Sequence, residues 1–170
     1  LSTTTKESRA VVLSLALSEL LARAGERVGV LGSRPYTGRS AARRVAEVLV
    51  GDAGEATSLP PPARLSRFSE CLLFSDFLEP VEETAKRIEA IAAQGVRGHL
   101  VQILDPAEET LPYEGRTEFS ASEGRDRVIA GRAENLRERY QERLTSHRNA
   151  LIAEAKRLSW SFLLHRTDRP

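Results

Sequence analysis

The 170-residue chain holds one cysteine, no methionine, one tryptophan and almost no excess of charge, and it has no apolar run able to cross a bilayer. Each scarcity excludes something. A spanning helix needs about 20 apolar residues, and the opening Leu1-Ser2-Thr3-Thr4-Thr5-Lys6 lacks the charged and apolar regions of a signal peptide, so no membrane role is expected. With 25 Lys plus Arg against 24 Asp plus Glu, the net charge of +1 gives no field that would gather nucleic acid, which is not expected as a partner. Cys71 alone forms no intrachain disulfide and heads an apolar run, which suits a buried thiol in a reducing compartment and points to the cytoplasm. A chain without methionine that opens on Leu1 leads us to expect further residues upstream.

What is present fits one α/β domain over residues 1–170, long enough to bury a core without disulfides or a structural metal. Thr4 and Glu7 have the spacing of a capping box and predict a helix from Lys6 to Ala24, apolar round most of its circumference. Arg27 to Gly32 reads as a short buried strand, Gly38 or Arg39 to Val50 as a helix closed by Gly51, and Gly51 to Pro62 as a loop. Cys71-Leu72-Leu73-Phe74-Ser75-Asp76 is the strongest strand signal, a continuous apolar run that suits the middle of a parallel sheet. A helix of about 14 residues opening near Pro80 follows, with Val81, Ala85, Ile88 and Ile91 on one face, and then a strand over His99 to Pro106. Gly115 to Ser120 and Arg127 to Ala130 predict a polar hairpin, Arg132 to Leu158 a long helix with Leu136, Tyr140, Leu144, Leu151 and Leu158 on one stripe, and Trp160 to Leu164 a last strand. Strand and helix alternating in this way predict a mostly parallel, Rossmann-like sheet with helices on both faces.

Open parallel sheets bind ligands at the carboxyl ends of their strands, which puts Ser75, Asp76 and Asp105 at the candidate rim. Two carboxylates there could hold Mg²⁺, but strand-ending Asp is common for turn reasons, and on spacing alone capping of the following turn or helix is the favoured reading. Gly32 to Ser40 precedes a helix but has neither G-K-[ST] nor G-x-G-x-x-G, so it reads as an ordinary connection. His99, His147 and His165 fall in unrelated elements without metal-ligand spacing, and no serine or cysteine nucleophile can be matched with a base; no catalytic residue is assigned.

Ser75-Asp76-Phe77-Leu78, Val101 to Glu108, Leu111-Pro112 and Phe162-Leu163-Leu164, with Gly25 to Leu31 and the Tyr140 helix, resemble in order the bacterial family called domain of unknown function fifty-eight. The resemblance implies a fold like the von Willebrand factor A domain, whose first strand carries a D-x-S-x-S metal motif. That strand is missing from this sequence and is expected upstream. Asp76 matches the third metal-site loop, while the usual middle Thr has no counterpart from Ser58 to Glu70. The resemblance further implies a protein-interaction or assembly-adaptor domain rather than an enzyme, acting with a MoxR-type AAA+ ATPase. Its partner-binding rim would comprise Ser75, Asp76, Asp105 and Glu108, with Mg²⁺ as an expected ligand of Asp76. Glu108 has a structural alternative, tying the Asp-Pro turn to the loop that follows. The competing expectation is a metal-dependent hydrolase or nucleotide-binding enzyme using the same rim.

Overall fold

The computed structural model describes residues 5–51, 59–110, 112, 117–120, 127–130 and 134–169. The first helix, α1, spans Lys6–Arg23. Its cap is Thr5, in extended geometry at φ −70° and ψ 156°, whose hydroxyl oxygen accepts the Ser8 N–H at 3.1 Å. The expected cap, Thr4, lies outside the described residues; Glu7 falls in the first turn, where its charge complements the helix's positive end. The second helix, α2 (Ala41–Gly51), begins later than expected because Gly38 takes φ 72° in a turn, its carbonyl accepting the Ala41 N–H at 3.0 Å, and Ser40 then accepts the Arg44 N–H at 3.0 Å.

The strand expected from Arg27 to Gly32 does not form. Val28 and Tyr36 make an isolated antiparallel bridge, and between them the chain turns back on itself. Ser33 drives the turn: its N–H and its hydroxyl both donate to the Val30 carbonyl, at 2.9 and 2.8 Å, and its Oγ accepts the Val30 N–H at 3.1 Å. The backbone groups of Val30 that a ladder would need are therefore spent locally.

The other strands lie within two residues of expectation. β1 (Glu70–Ser75), β2 (Arg97–Leu104) and β5 (Ser161–Arg166) form a parallel sheet in the order β1-β2-β5. β3 (Thr117–Ser120) and β4 (Arg127–Ala130) form the expected antiparallel hairpin. Between the strands run α3 (Val81–Ala92), the short α4 (Pro106–Thr110), which the sequence reading did not include, and α5 (Glu134–Arg157). Pro80 sits at the cap of α3 rather than inside it, and the chain leaves α3 through Gly95 at φ 76°.

Register sorts the side chains. Leu73, Leu100 and Phe162 are aligned across the three strands, as are Ser75, Gln102 and Leu164. This face carries the main core, with Leu73 and Leu100 packed against Ile88 and Ile91 of α3 and Leu151 and Ala155 of α5. Trp160, 4 % exposed, lies flat over Gly98, where any Cβ would fall 2.1 Å from its ring. The opposite face is turned toward α1, whose Arg9 donates to the Thr167 carbonyl at 2.9 Å. A second, smaller cluster joins Ala22, Val28, Ala41 and Val45. No helix among the described residues is long and apolar enough to cross a membrane.

Candidate functional site

β1 ends at Ser75, and the chain must then leave the sheet for α3. It does so through Phe77 at φ 51°, a left-handed conformation that a bulky aromatic adopts at a cost of order 1 kcal/mol or more. Several contacts hold it there. Ser75 Oγ accepts the Phe77 N–H at 3.1 Å, buried Gln102 donates to the Asp76 carbonyl at 2.8 Å, and His147 Nε2 donates to the Phe77 carbonyl at 2.6 Å. The Phe77 ring is itself in the core. The turn is thus fixed from β2, α5 and the hydrophobic interior together, and it presents the Asp76 carboxylate in a defined position.

Asp76 does not stand alone. Lys6, the first residue of α1, places Nζ 2.7 Å from Asp76 Oδ2 and 2.7 Å from Glu108 Oε1, so one ammonium bridges two carboxylates. All three side chains keep between a quarter and a third of their exposure. Burial by itself would lower the Lys6 pKa, but the hydrogen bonds and charges of Asp76 and Glu108 raise it on balance above the usual 10.5. Tyr140 of α5 lies close by: burial first, then the charge of Glu108, push its phenol upward against the opposing effect of Lys6. With two carboxylates to one ammonium, the cluster keeps one formal negative charge.

Asp105 takes a different part. Its Oδ1 accepts the Ala107 N–H at 2.8 Å, capping α4, and its Oδ2 accepts the Thr167 hydroxyl at 3.3 Å. This is the turn-capping reading that the spacing favoured. Glu108 likewise ties the segment after Asp105 to the rest of the molecule, through Lys6; the following loop, to which it was expected to tie the turn, falls mostly outside the described residues. Of the four rim residues expected, the structure therefore joins Asp76 and Glu108 through Lys6, makes Ser75 a turn-former beside Asp76, and gives Asp105 to α4 and Thr167.

Several participants escaped the sequence reading. Gln102, fully buried, receives the Arg148 Nε–H at 3.1 Å on its Oε1, and Arg148 also reaches Glu109 Oε1 at 3.4 Å. Arg166 pairs with the other oxygen of Glu109. A second polar network thus lies beside the first. A polar Gln102 within the apolar run Val101 to Leu104 was the available signal, since a buried amide demands partners.

A divalent ion does not fit the residues described. Mg²⁺ demands oxygen ligands in octahedral array at about 2.0–2.1 Å, yet the facing oxygens of Asp76 and Glu108 are taken by Lys6, both Asp105 oxygens are hydrogen-bonded, and Ser75 Oγ serves the turn. Among the described residues no group of three His, Cys, Asp or Glu is arranged for a metal. Nucleophiles fare no better. Burial pushes the Cys71 thiol up to about 11, leaving it protonated at neutral pH. Ser161 Oγ lies 2.7 Å from His99 Nδ1, but the far nitrogen of His99 is 3.6 Å from Glu70, which also pairs with Arg97. Two surface hollows, one of about 630 Å³ along α5 and one of about 420 Å³ at the end of β5, include neither this contact nor the Lys6 cluster.

The family pattern described as "Protein of unknown function DUF58" matches residues 2–150, a span that takes in α1, the Asp76 turn and α4. The chain belongs to the DUF58 family. No curated protein and no solved structure matches it. The matched DUF58 span includes Lys6, Asp76 and Glu108, so the whole bridging cluster lies within the family-defining part of the chain.

Proposed function

We propose that this DUF58 chain is a protein-interaction or assembly-adaptor domain that presents the rim around Asp76 and Glu108 to a protein partner, a MoxR-type AAA+ ATPase being the partner that the family resemblance suggests. The observation that carries this reading is the bridging of Asp76 and Glu108 by Lys6 on a turn held from three sides. General acid–base catalysis is served by a group placed to take or give a proton to a bound substrate. Here the rim groups are engaged with each other and partly exposed, as suits a charged patch read by another protein. A strained residue at the turn supports the same view, because backbone strain that the surroundings must hold in place is concentrated where side-chain position matters.

The test is direct binding between the purified chain and a purified MoxR-type AAA+ ATPase, by interferometry, for the wild type and for Asp76→Asn, Glu108→Gln and the distant control Glu47→Gln. The expected outcome is a weakened complex for the two rim variants and an unchanged one for the control. Equal binding by all four proteins would remove the rim from the interface, and no binding by any would remove this partner class.

A further inference from the structure

We infer that Lys6 is a resident cation of the rim: its ammonium occupies the position between Asp76 and Glu108 that a divalent metal would need, and excludes one. The inference concerns the cluster itself and stands whether or not the rim meets a partner.

The geometry of the cluster leads to this. One ammonium hydrogen points to each carboxylate at 2.7 Å, the short distance of charge-assisted hydrogen bonds. A metal liganded by the same two oxygens would sit within contact distance of Nζ, placing two positive centres side by side in a partly desolvated site. The lysine has the advantage of tethering: it is the first residue of a capped helix, and Arg9, one turn on, anchors that helix to Thr167. The ammonium is therefore held at its position by the fold, whereas a free ion must be recruited from solution and stripped of water.

The carboxylates nonetheless retain what a cation needs. Glu108 Oε2 is buried with no hydrogen-bond partner among the described residues, a spare acceptor on a carboxylate of the cluster. Asp76 is fixed by the turn contacts of Ser75, Gln102 and His147, none of which involves Lys6. Removing the ammonium should thus leave two neighbouring carboxylates, one on a pre-formed turn, with both negative charges uncompensated, the beginnings of a weak divalent site.

The experiment is a titration of Mn²⁺ into the chain followed by water-proton relaxation and isothermal calorimetry. Wild type and Lys6→Arg, which keeps the cation, are expected to show no saturable site. Lys6→Ala is expected to gain one with a Kd of about 0.1–1 mM, the range of weakly held divalent ions on protein surfaces, and Lys6→Ala/Asp76→Asn to lose it again. Lys6→Gln serves the same purpose should Lys6→Ala prove unfolded by circular dichroism. A wild-type site of comparable affinity that disappears in Asp76→Asn would overturn the inference, because the lysine would not then exclude the ion. So would a folded Lys6→Ala or Lys6→Gln that binds no Mn²⁺, because the carboxylates would then be unable to hold a cation whatever stood between them.

Discussion

Lys6→Met keeps the apolar stem of the side chain and removes its terminal ammonium, which makes it a clean probe of the rim. We expect it to cost roughly 1–2 kcal/mol at neutral pH, toward the lower part of the range for charged hydrogen bonds because the three groups remain partly solvated. The pH dependence has a definite sign. The Lys6 pKa is higher folded than unfolded, so its contribution is complete below 10.5 and disappears as pH rises through the folded value. Urea unfolding at a series of pH values should show a wild-type advantage over Lys6→Met that is flat through neutral pH and closes only above 10.5. A gap that closed near neutrality would mean that some other group titrates. His165 makes the opposite case: burial, and then the Arg9 guanidinium, hold its pKa below 6.5, so the stability linked to its neutral form is complete above 6.5 and declines as pH falls through that value. Arg9→Gln should move the His165 midpoint upward in an NMR titration, and an unmoved midpoint would refute the Arg9 contribution. Neither Lys6 nor Arg9 stood out in the sequence. Lys6 meets Asp76 and Glu108 across 70 and 102 positions of chain, and no local pattern records a pairing that only the packing of α1 on the sheet brings about.

Helices and strands were legible where a local signal coincided with a tertiary need. The run Cys71 to Phe74 formed a strand because β2 lies alongside it in full register, and the long amphipathic stripe formed α5 because Leu144 and Leu151 are buried. Val28 to Leu31 carries a similar apolar signal and no strand results, since Ser33 closes the chain back onto Val30 before a ladder can extend. α4 was missed because five residues offer no periodicity; its origin is the Asp105 cap followed by Pro106 in the first turn. The contact between Gly98 and Trp160 is the element-scale feature most open to test. It lets the stretch after α5 lie close against β2, and Gly98→Ala would drive a methyl group to 2.1 Å from the indole. A loss of about 1–3 kcal/mol or more is expected, as for overpacked cores. Partial recovery in Gly98→Ala/Trp160→Leu, read from thermal unfolding as a double-mutant cycle, would confirm that the clash is the cause. Additive losses would place the cause elsewhere.

The molecule as a whole rests on two unequal cores joined through α1. The cluster between the sheet, α3 and α5 contains Ile88, Ile91, Leu100, Leu151 and Trp160, all essentially solvent-free, whereas among the described residues the fully buried members of the cluster around α2 are two alanines and two valines. Since hydrophobic stabilisation grows with the apolar area removed from water, the smaller cluster should be the first to open. α1 shows the same imbalance: it leaves Val12 and Leu20 more than half exposed and holds to the rest of the molecule through Lys6 and Arg9 as well as through apolar contacts. Native-state hydrogen exchange should therefore find α2 and the end of α1 exchanging at a lower free energy than β2, whose amides should approach the global value. Leu151→Ala, in the larger cluster, should lower the protection of β2 and of the other amides that exchange through global unfolding by about 2–5 kcal/mol, and leave α2, which opens locally, unchanged. Val45→Ala should reduce protection in α2 and, because global unfolding also breaks the α2 contacts, in β2 by the same amount, and Lys6→Met should act likewise on α1 and β2. Uniform loss throughout the chain in all three variants would show one cooperative unit, and would make the rim inseparable from the stability of the sheet. The selective pattern would mean that α1, carrying the resident ammonium, can loosen from Asp76 and Glu108 while the parallel sheet stays folded.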